Sequence, residues 1–313
     1  MRTLNTKVFK IKAFVISIVL ICSTTMADDK VHKESALGRA STSNESFTQK
    51  NPSTKLKKEG SIFELVFGSF EQGGMIYAKT QAGNKIEVLG RSVYVDEAGY
   101  FVFGLGRDAK PEVIIKITEN SGRVVQLTRS VKQREYKVQK IEGVAKKYVS
   151  PPDDVLKRIR KENSAIGKAR AVKTTENHFA AGFHWPAEGP ITGVYGSQRI
   201  FNGVPKRPHF GLDIAGPVGT PVIAPAAGTV TLAEDDLYYS GGTLIMDHGQ
   251  GISSTFIHLS KVLVKVGDKV NVGQNIGEIG ATGRVTGPHL DWRINWFKQR
   301  LDPQLLLPSV DPL

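Results

Sequence analysis

Short apolar runs that alternate with polar residues occupy two long regions of this 313-residue chain. In the first region, seven such runs lie between residues 62 and 127, separated by turn residues such as Gly73-Gly74 and Gly83-Asn84. Alternation with a period of two is typical of half-buried β-strands. Residues 60–148 are therefore predicted to form an antiparallel β-sandwich of immunoglobulin-like size. Because no histidine or acid cluster lies in it, we expect a docking or regulatory module.

The second region, residues 183–313, again consists of short strand-like runs, and glycine recurs at their ends. Dense glycine at strand ends marks tight turns and close approach of backbones. We therefore predict a compact antiparallel folded sheet or barrel-like domain, which makes the fold class mainly β. Between the two regions, residues 149–182 are predicted to form a helix and a linker. Pro151 and Pro152 begin this helix, and Asp153 and Asp154 suit its positive N-terminal end.

The N-terminus has the pattern of a secretory signal peptide over residues 1–27. A basic lead precedes the apolar run Ala13–Cys22, and the small residues Thr25 and Ala27 precede a plausible cleavage point. The run is short for a membrane span, so an uncleaved anchor is the lesser alternative, and we expect no stable membrane span after cleavage. Cleavage removes Cys22, the one cysteine, so no disulfide is expected. The polar residues 28–59 are predicted to form a disordered leader.

The chain carries a formal net charge of +12. That charge is compatible with an anionic partner such as lipid headgroups or an acidic wall polymer. The lysines and arginines are scattered, however, and form no compact basic stripe interleaved with aromatic residues, which is what nucleic-acid grooves use. We therefore expect no nucleic-acid partner.

Histidine and aspartate cluster in the second region in a way that indicates chemistry. His289 and Asp291 are two residues apart after a Gly-Pro turn, so on a strand both side chains leave from one face. His209 and Asp213 can converge on one cation from a loop or hairpin, and zinc accepts both histidine nitrogen and aspartate oxygen. Either Asp291 or His289 could supply a third ligand. His258, at the end of an apolar strand, is a candidate for proton transfer.

Taken together, several ordered motifs in residues 183–304 resemble the lysostaphin-like (LytM-type) zinc metallopeptidases, which cut peptide cross-links in bacterial peptidoglycan. The motifs are Arg207–Asp213, Gly219–Val230, Asp247–Gly249, Phe256–Ser260, Val266–Asp268 with Val270 and Gly273, Gly280–Gly283, and Gly287–Leu290. The preceding region is also similar to the β-sandwich found before such catalytic domains in Gram-negative exported proteins, with Phe67–Gly74 and Phe101–Arg107 as its markers.

The resemblance implies roles for five residues. His209 and Asp213 are expected to bind one Zn²⁺ ion, and His258 and His289 are expected to be catalytic. The family's third metal ligand is normally a histidine, and Asp291 stands at that position here. The expected activity is a metalloendopeptidase that hydrolyses peptide cross-links in peptidoglycan, in the periplasm or secreted, with other cell-wall proteins as further partners.

The aspartate at position 291 leaves alternatives open. Two carboxylate ligands neutralise the charge of a divalent ion, which weakens it as a Lewis acid, and oxygen ligands relax the selectivity for zinc. The chain could be an active enzyme with a His-Asp-Asp site, a slow enzyme, or a silent module that binds the cell wall or activates a separate amidase. A lipoyl-type or biotinyl-type carrier is disfavoured because no Met-Lys turn is present.

Overall fold

A computed structural model of the chain describes residues 62–143 and 152–307. Over these residues the protein is mainly β, with twenty strands, one α-helix and two short 3-10 helices, which confirms the predicted fold class. In this part of the chain no helix is both long and apolar enough to cross a membrane. The predicted signal peptide and disordered leader, residues 1–59, lie outside the described residues.

The seven strands predicted in the first region are present and form two antiparallel sheets. They are β1 (Glu64–Gly68), β2 (Met75–Lys79), β3 (Lys85–Val88), β4 (Arg91–Val93), β5 (Tyr100–Gly104), β6 (Glu112–Thr118) and β7 (Val124–Ser130). One sheet has the order β1-β2-β5 and the other β4-β3-β6-β7. Along β6, buried residues alternate with more exposed ones, as the period-two pattern predicts. The immunoglobulin-like topology and the boundaries 60–148 stay predictions.

The segment after these sheets contains one strand that was not predicted from the sequence and the helix that was predicted. Strand β8 (Val138–Ile141) pairs in parallel with a strand of the second region. Helix α1 (Asp153–Ala169) begins after Pro152 and carries Asp153 and Asp154 in its first turn, as predicted. Its apolar face packs on the second region through Ala165, Ile166 and Ala169. A 3-10 helix (His178–Ala181) follows.

The second region is a ten-stranded antiparallel sheet with one small appended sheet, which confirms the predicted folded sheet. Its strands are β9 (Ile191–Gly193), β10 (Gln198–Phe201), β11 (Val204–Pro205), β12 (Leu212–Ala215), β13 (Pro221–Ile223), β14 (Gly228–Leu237), β15 (Gly241–Gly249), β16 (Ile252–Val262), β17 (Lys269–Val270), β18 (Asn275–Ile279), β19 (His289–Trp296) and β20 (Gln299–Leu301). The order β17-β14-β15-β16-β19-β12-β9 runs through the main sheet, and β8, β10 and β11 form the small one. A second 3-10 helix is Pro303–Leu306.

The two regions share one continuous apolar core that includes Phe103, Trp296 and Leu301. A buried ion pair also joins them: Arg134 donates to Asp302 at 2.7 Å, and the Asp302 side chain is only 1% exposed. The backbone amide of Asp302 donates to the carbonyl of Gly73 at 2.8 Å. The first region is therefore packed against the sheet of the second rather than tethered by a free linker.

Candidate metal centre

The centre of the second region is a pair of aspartates on neighbouring strands. Strands β12 and β19 are antiparallel, and their register places Asp213 directly opposite Asp291. His209 lies in the loop before β12, where its amide donates to the carbonyl of Ser197 at 2.8 Å. The predicted same-face placement of His289 and Asp291 is confirmed, because both lie in β19 two residues apart.

Three ligand atoms from these elements meet at one point. Nε2 of His209 lies 2.9 Å from Oδ1 of Asp213 and 3.3 Å from Oδ2 of Asp291. All three residues are buried, with 2%, 6% and 1% of their surface exposed. They are the one group of three or more potential ligands, among the described residues, whose atoms lie close enough together to hold a metal ion.

Two glycines make this approach possible. A Cβ atom at Gly211 would collide with the Asp291 carboxylate, and a Cβ atom at Gly193 would collide with that of Asp213. Glycine lets one backbone pass directly beside the other strand's carboxylate. At Gly193 the backbone of β9 passes beside the Asp213 carboxylate, and at Gly211 the backbone before β12 passes beside the Asp291 carboxylate. The two glycines therefore provide the space that the aspartate side chains occupy.

The three histidines near this point share one orientation. In each, Nδ1 lies beside a main-chain carbonyl: Val194 for His209 at 3.3 Å, Thr282 for His258 at 2.8 Å, and Gly287 for His289 at 2.9 Å. A carbonyl only accepts, so Nδ1 carries the proton and donates it. The lone pair of a neutral ring is then on Nε2, which is the tautomer that a histidine needs to bind a metal or accept a proton through Nε2.

This arrangement fits a cation. With Nδ1 as the donor, Nε2 of a neutral His209 faces two carboxylate oxygens with a lone pair, which is repulsive unless a proton or a metal ion lies between them. Oδ1 of Asp213 is buried and accepts no hydrogen bond from the described residues. Bonds of about 2.0–2.2 Å to tetrahedral zinc place ligand atoms roughly 3.3–3.6 Å apart, close to the spacing here. One histidine and two carboxylates thus suit a divalent ion.

Each carboxylate also has its own arginine, which the sequence analysis missed. Arg199 donates to Oδ2 of Asp213 at 2.5 Å, and Arg293 forms two bonds with Asp291, at 2.9 and 2.6 Å. In the metal-free protein, burial alone would raise the pKa of the Asp291 carboxyl, but Arg293, and His209 when it carries a proton on Nε2, hold that pKa well below its usual range. Arg293 had a detectable signal, because it continues the same-face series His289, Asp291, Arg293 along β19.

The arginines change the expected charge of the site. Two carboxylates alone would bring a divalent ion close to neutrality, which was the expectation from sequence. Because Arg199 and Arg293 offset those two negative charges, the ligands and their partners together carry no net charge. A bound divalent ion would then keep most of its field, which is the condition for an effective Lewis acid.

His258 and His289 lie beside the three ligand atoms, with ring centroids 4.9 Å apart. His258 has a positive φ of 70°, an uncommon conformation for a non-glycine residue that often marks functional sites. Burial lowers the pKa of His258 to about 4, so its ring is neutral at pH 7. Nε2 of His289 lies 3.8 Å from Oδ1 of Asp213. All five residues singled out from the sequence therefore come together.

Two cavities flank the cluster. One, of about 500 Å³, is lined by Asp213 and His289, and the other, of about 790 Å³, by His209 and Arg293. Arg199, Phe201 and Arg284 line both, so the cavities adjoin at the ligand cluster. Together they provide space for a ligand on both sides of the cluster.

Comparison with known proteins agrees with the motifs. The profile of Peptidase family M23 matches residues 207–303. The peptidoglycan DD-endopeptidase ShyA of Vibrio cholerae is 45% identical over 98 residues, which is 31% of this chain and 23% of ShyA. The Lipoprotein NlpD/LppB homolog of Pseudomonas aeruginosa is 35% identical over 127 residues, or 41% of this chain and 40% of that protein. The chain thus spans less than half the length of these curated relatives.

A solved structure gives the more extensive match. A crystal structure from Pseudomonas aeruginosa, described as a peptidase M23, is 30% identical with a TM-score of 0.61. The match covers 76% of this chain and 95% of that one, so it includes strands outside the profile. With the motifs and the profile in the same place, the resemblance to LytM-type metallopeptidases is confirmed. Similarity over three quarters of the chain, and over nearly all of a solved member, makes this protein a member of peptidase family M23.

Proposed function

We propose that this chain is an exported zinc metalloendopeptidase that hydrolyses peptide cross-links in bacterial peptidoglycan. The observation that carries the proposal is the convergence of Nε2 of His209 on Oδ1 of Asp213 and Oδ2 of Asp291, at 2.9 and 3.3 Å. A buried lone pair beside two carboxylates is a cation site, and two further histidines adjoin it. That combination suits metal-assisted hydrolysis of an amide.

In this proposal His209, Asp213 and Asp291 hold one zinc ion. Oδ2 of Asp213 is fixed by Arg199, which leaves Oδ1 for the metal. Arg293 donates a hydrogen bond to each oxygen of Asp291 and so fixes the orientation of the carboxylate plane. When bound, zinc supplies Lewis-acid chemistry, polarising the scissile carbonyl and lowering the pKa of the attacking water. Arg199 and Arg293 act as positioning residues, because they reach the metal only through the carboxylates.

His258 and His289 are the proposed proton carriers. Their Nδ1 protons are committed to the carbonyls of Thr282 and Gly287, so each Nε2 can accept a proton from the attacking water. Once protonated, the same Nε2 becomes a donor, able to stabilise the developing oxyanion or protonate the leaving amine. The two rings, with their centroids 4.9 Å apart, can divide these tasks between them.

The substrate and location rest on different grounds. ShyA and ShyB of Vibrio cholerae are named peptidoglycan DD-endopeptidases, and their similarity to this chain supports the same substrate class. The basic lead and apolar run in residues 1–27 support export to the periplasm or beyond. We further propose a sandwich module at 60–148, a helix and linker at 149–182, and the peptidase domain at 183–313.

Metal content and digestion of purified cell walls test the proposal together. The zinc-loaded, dialysed protein should retain about one zinc per chain and release muropeptides from sacculi, detected by chromatography. His209→Ala should lose both properties. Lys85→Gln, which alters an exposed residue of β3 in the first region, should keep both. A protein without zinc after loading, together with unchanged sacculi, would contradict the proposal and favour a silent module that binds the wall or activates an amidase.

A further inference from the structure

The larger cavity beside His209 is strongly basic. Six arginines and two lysines line its 790 Å³, and no aspartate or glutamate of the described residues does. The six arginines are Arg170, Arg199, Arg207, Arg284, Arg293 and Arg300. Such a concentration of one charge in a concave site creates a strong local field for anions.

Two of these arginines are already neutralised by the metal-site carboxylates, but two others have only neutral partners. Arg170 donates to Oγ1 of Thr255 at 3.1 and 3.3 Å, and Arg300 donates to Oδ1 of Asn295 at 2.9 Å. Within residues 62–143 and 152–307, no carboxylate lies in ion-pair distance of either guanidinium. Two cations thus line the cavity with their charge uncompensated.

The desolvation of these two groups is considerable. Burial, followed by the nearby charge of Arg293, lowers the pKa of Arg300 to about 10. Burial and the nearby charge of Arg300 hold the pKa of Arg170 well below its usual range. Desolvated charges in folded proteins are normally paired, since an unpaired one is destabilising. An anion that entered the cavity would remove this cost.

The hydrogen bonds to Thr255 and Asn295 orient the two side chains before any ligand arrives, and the backbone of each arginine is anchored as well. The backbone amide of Arg170 donates to the carbonyl of Ile166 and so caps helix α1. The backbone carbonyl of Arg300 accepts a hydrogen bond from the buried hydroxyl of Tyr195 at 2.7 Å. Preorganised guanidinium forks match the two oxygens of a carboxylate.

We propose that Arg170 and Arg300 form a subsite that binds a free carboxylate of the peptide substrate, while the scissile amide lies at the metal centre. The geometry favours a substrate group over an unrelated anion, because this cavity adjoins the His289 cavity at the ligand cluster. A chain lying through both cavities would bring its carboxylate to the arginines. The inference rests on the proposed peptidase function and adds a preference for anionic peptides.

Cross-linked muropeptide dimers provide the substrates for a test with the zinc-loaded full chain. One sample is left native, and in the other every free carboxyl is converted to an amide with ammonia and a carbodiimide. For the wild type, amidation should raise KM by about ten- to a hundredfold, the worth of one charge-assisted contact, with a smaller change in kcat. Arg170→Gln and Arg300→Gln should raise KM for the native dimer to a similar extent and should no longer discriminate between the two samples.

Controls separate charge, geometry and folding. Arg300→Lys keeps the positive charge but loses the paired N–H donors of the guanidinium, so its KM for the native dimer should lie between those of the wild type and Arg300→Gln. Lys85→Gln should prefer the native dimer over the amidated one as the wild type does. Neither Gln variant should lower the urea midpoint, because each removes an uncompensated charge. A merely structural role would instead lower stability and leave the preference for the native dimer intact, which would overturn the proposal.

Calorimetric measurement of dimer binding to the His209→Ala variant separates this inference from the peptidase function. If the wild type cleaves neither dimer, but the native dimer binds His209→Ala more tightly than the amidated one through Arg170 and Arg300, the subsite stands and the proposed activity fails. If both dimers are cleaved with equal KM, the activity stands and the subsite is wrong. Inorganic phosphate provides a final arm. If phosphate binds through the two arginines and the native dimer does not displace it, the carboxylate assignment is overturned.

Discussion

Asp213 and Asp291 face each other across neighbouring antiparallel strands, and each carboxylate forms an ion pair with a different arginine. Arg199 reaches Asp213 from β10, and Arg293 reaches Asp291 from two residues further along β19. The paired strands bring two negative charges into contact with one histidine, and the arginines make that arrangement tolerable in a buried place. The site is therefore a five-residue unit whose members should not vary independently.

The first prediction concerns the Asp291–Arg293 pair. Asp291→Asn should destabilise the metal-free protein by about 3 kcal/mol, because it leaves a guanidinium that is only 24% exposed without its carboxylate. The double variant Asp291→Asn with Arg293→Gln should recover much of that loss, since it removes both charges. Urea unfolding at pH 7 measures the free energies of unfolding. If the two substitutions were additive, the pair would not be the coupled unit described here.

The sequence predicted the strands well because alternation and turn residues are local signals. All seven strands of the first region and the helix after Pro152 could be placed in this way. Strand β8 was missed because its partner, β10, lies about sixty residues further along the chain, and parallel pairing leaves no turn to detect. The packing of the two regions into one core likewise depends on contacts that no local pattern records.

For the site, the motifs supplied all five residues that the structure brings together. They did not supply the arginines that pair with the two aspartates. Arg199 lies in a strand with no motif, and only the fold brings it to Asp213. Arg293 could have been identified from the period-two series along β19. Arg170 and Arg300 carried no signal, because a cation without a carboxylate partner is recognisable only once its surroundings are known.

A second prediction tests Gly211, the glycine beside the candidate metal centre. Gly211→Ala should weaken zinc binding at least tenfold, because its Cβ would displace the Asp291 carboxylate. Competition with a chromophoric chelator gives the affinity. The matched control is Gly167→Ala in helix α1, where a Cβ meets nothing within 4 Å. That change should leave zinc affinity as it is and raise stability by about 0.5–1 kcal/mol. Equal zinc affinity in the two variants would contradict the role given to Gly211.

The third prediction concerns the ion pair between the two regions. Arg134→Gln should lower the free energy of unfolding by about 3 kcal/mol at pH 7, because Asp302 would be left buried with its charge unpaired. Lys132→Gln is the control, since its side chain is 76% exposed and lies 3.8 Å from Glu71. It should change stability by less than about 0.5 kcal/mol. Similar losses in both variants would mean that burial of the Arg134–Asp302 pair has no special weight.

The fourth prediction is a pH dependence that arises from His248, in the core of β15. Its Nδ1 donates to the carbonyl of Ala227 at 2.6 Å, and its Nε2 lies 2.7 Å from the hydroxyl of Ser254. Burial lowers its pKa from 6.5 to about 4. Between these two values the unfolded chain binds a proton that the folded chain does not, so stability must fall as the pH drops from about 6.5 to about 4.

The full effect of that shift is about 3 kcal/mol, reached near pH 4 and absent above about pH 7. His248→Asn keeps a donor for Ala227 but removes the titration. The variant should therefore lose less stability than the wild type between pH 7 and pH 4, even if it is less stable at pH 7. Urea unfolding of metal-free protein across this range gives both curves, and the exposed His184→Asn should follow the wild type. Parallel curves for His248→Asn and wild type would show that acid lability has another origin, with His258 the next residue to substitute.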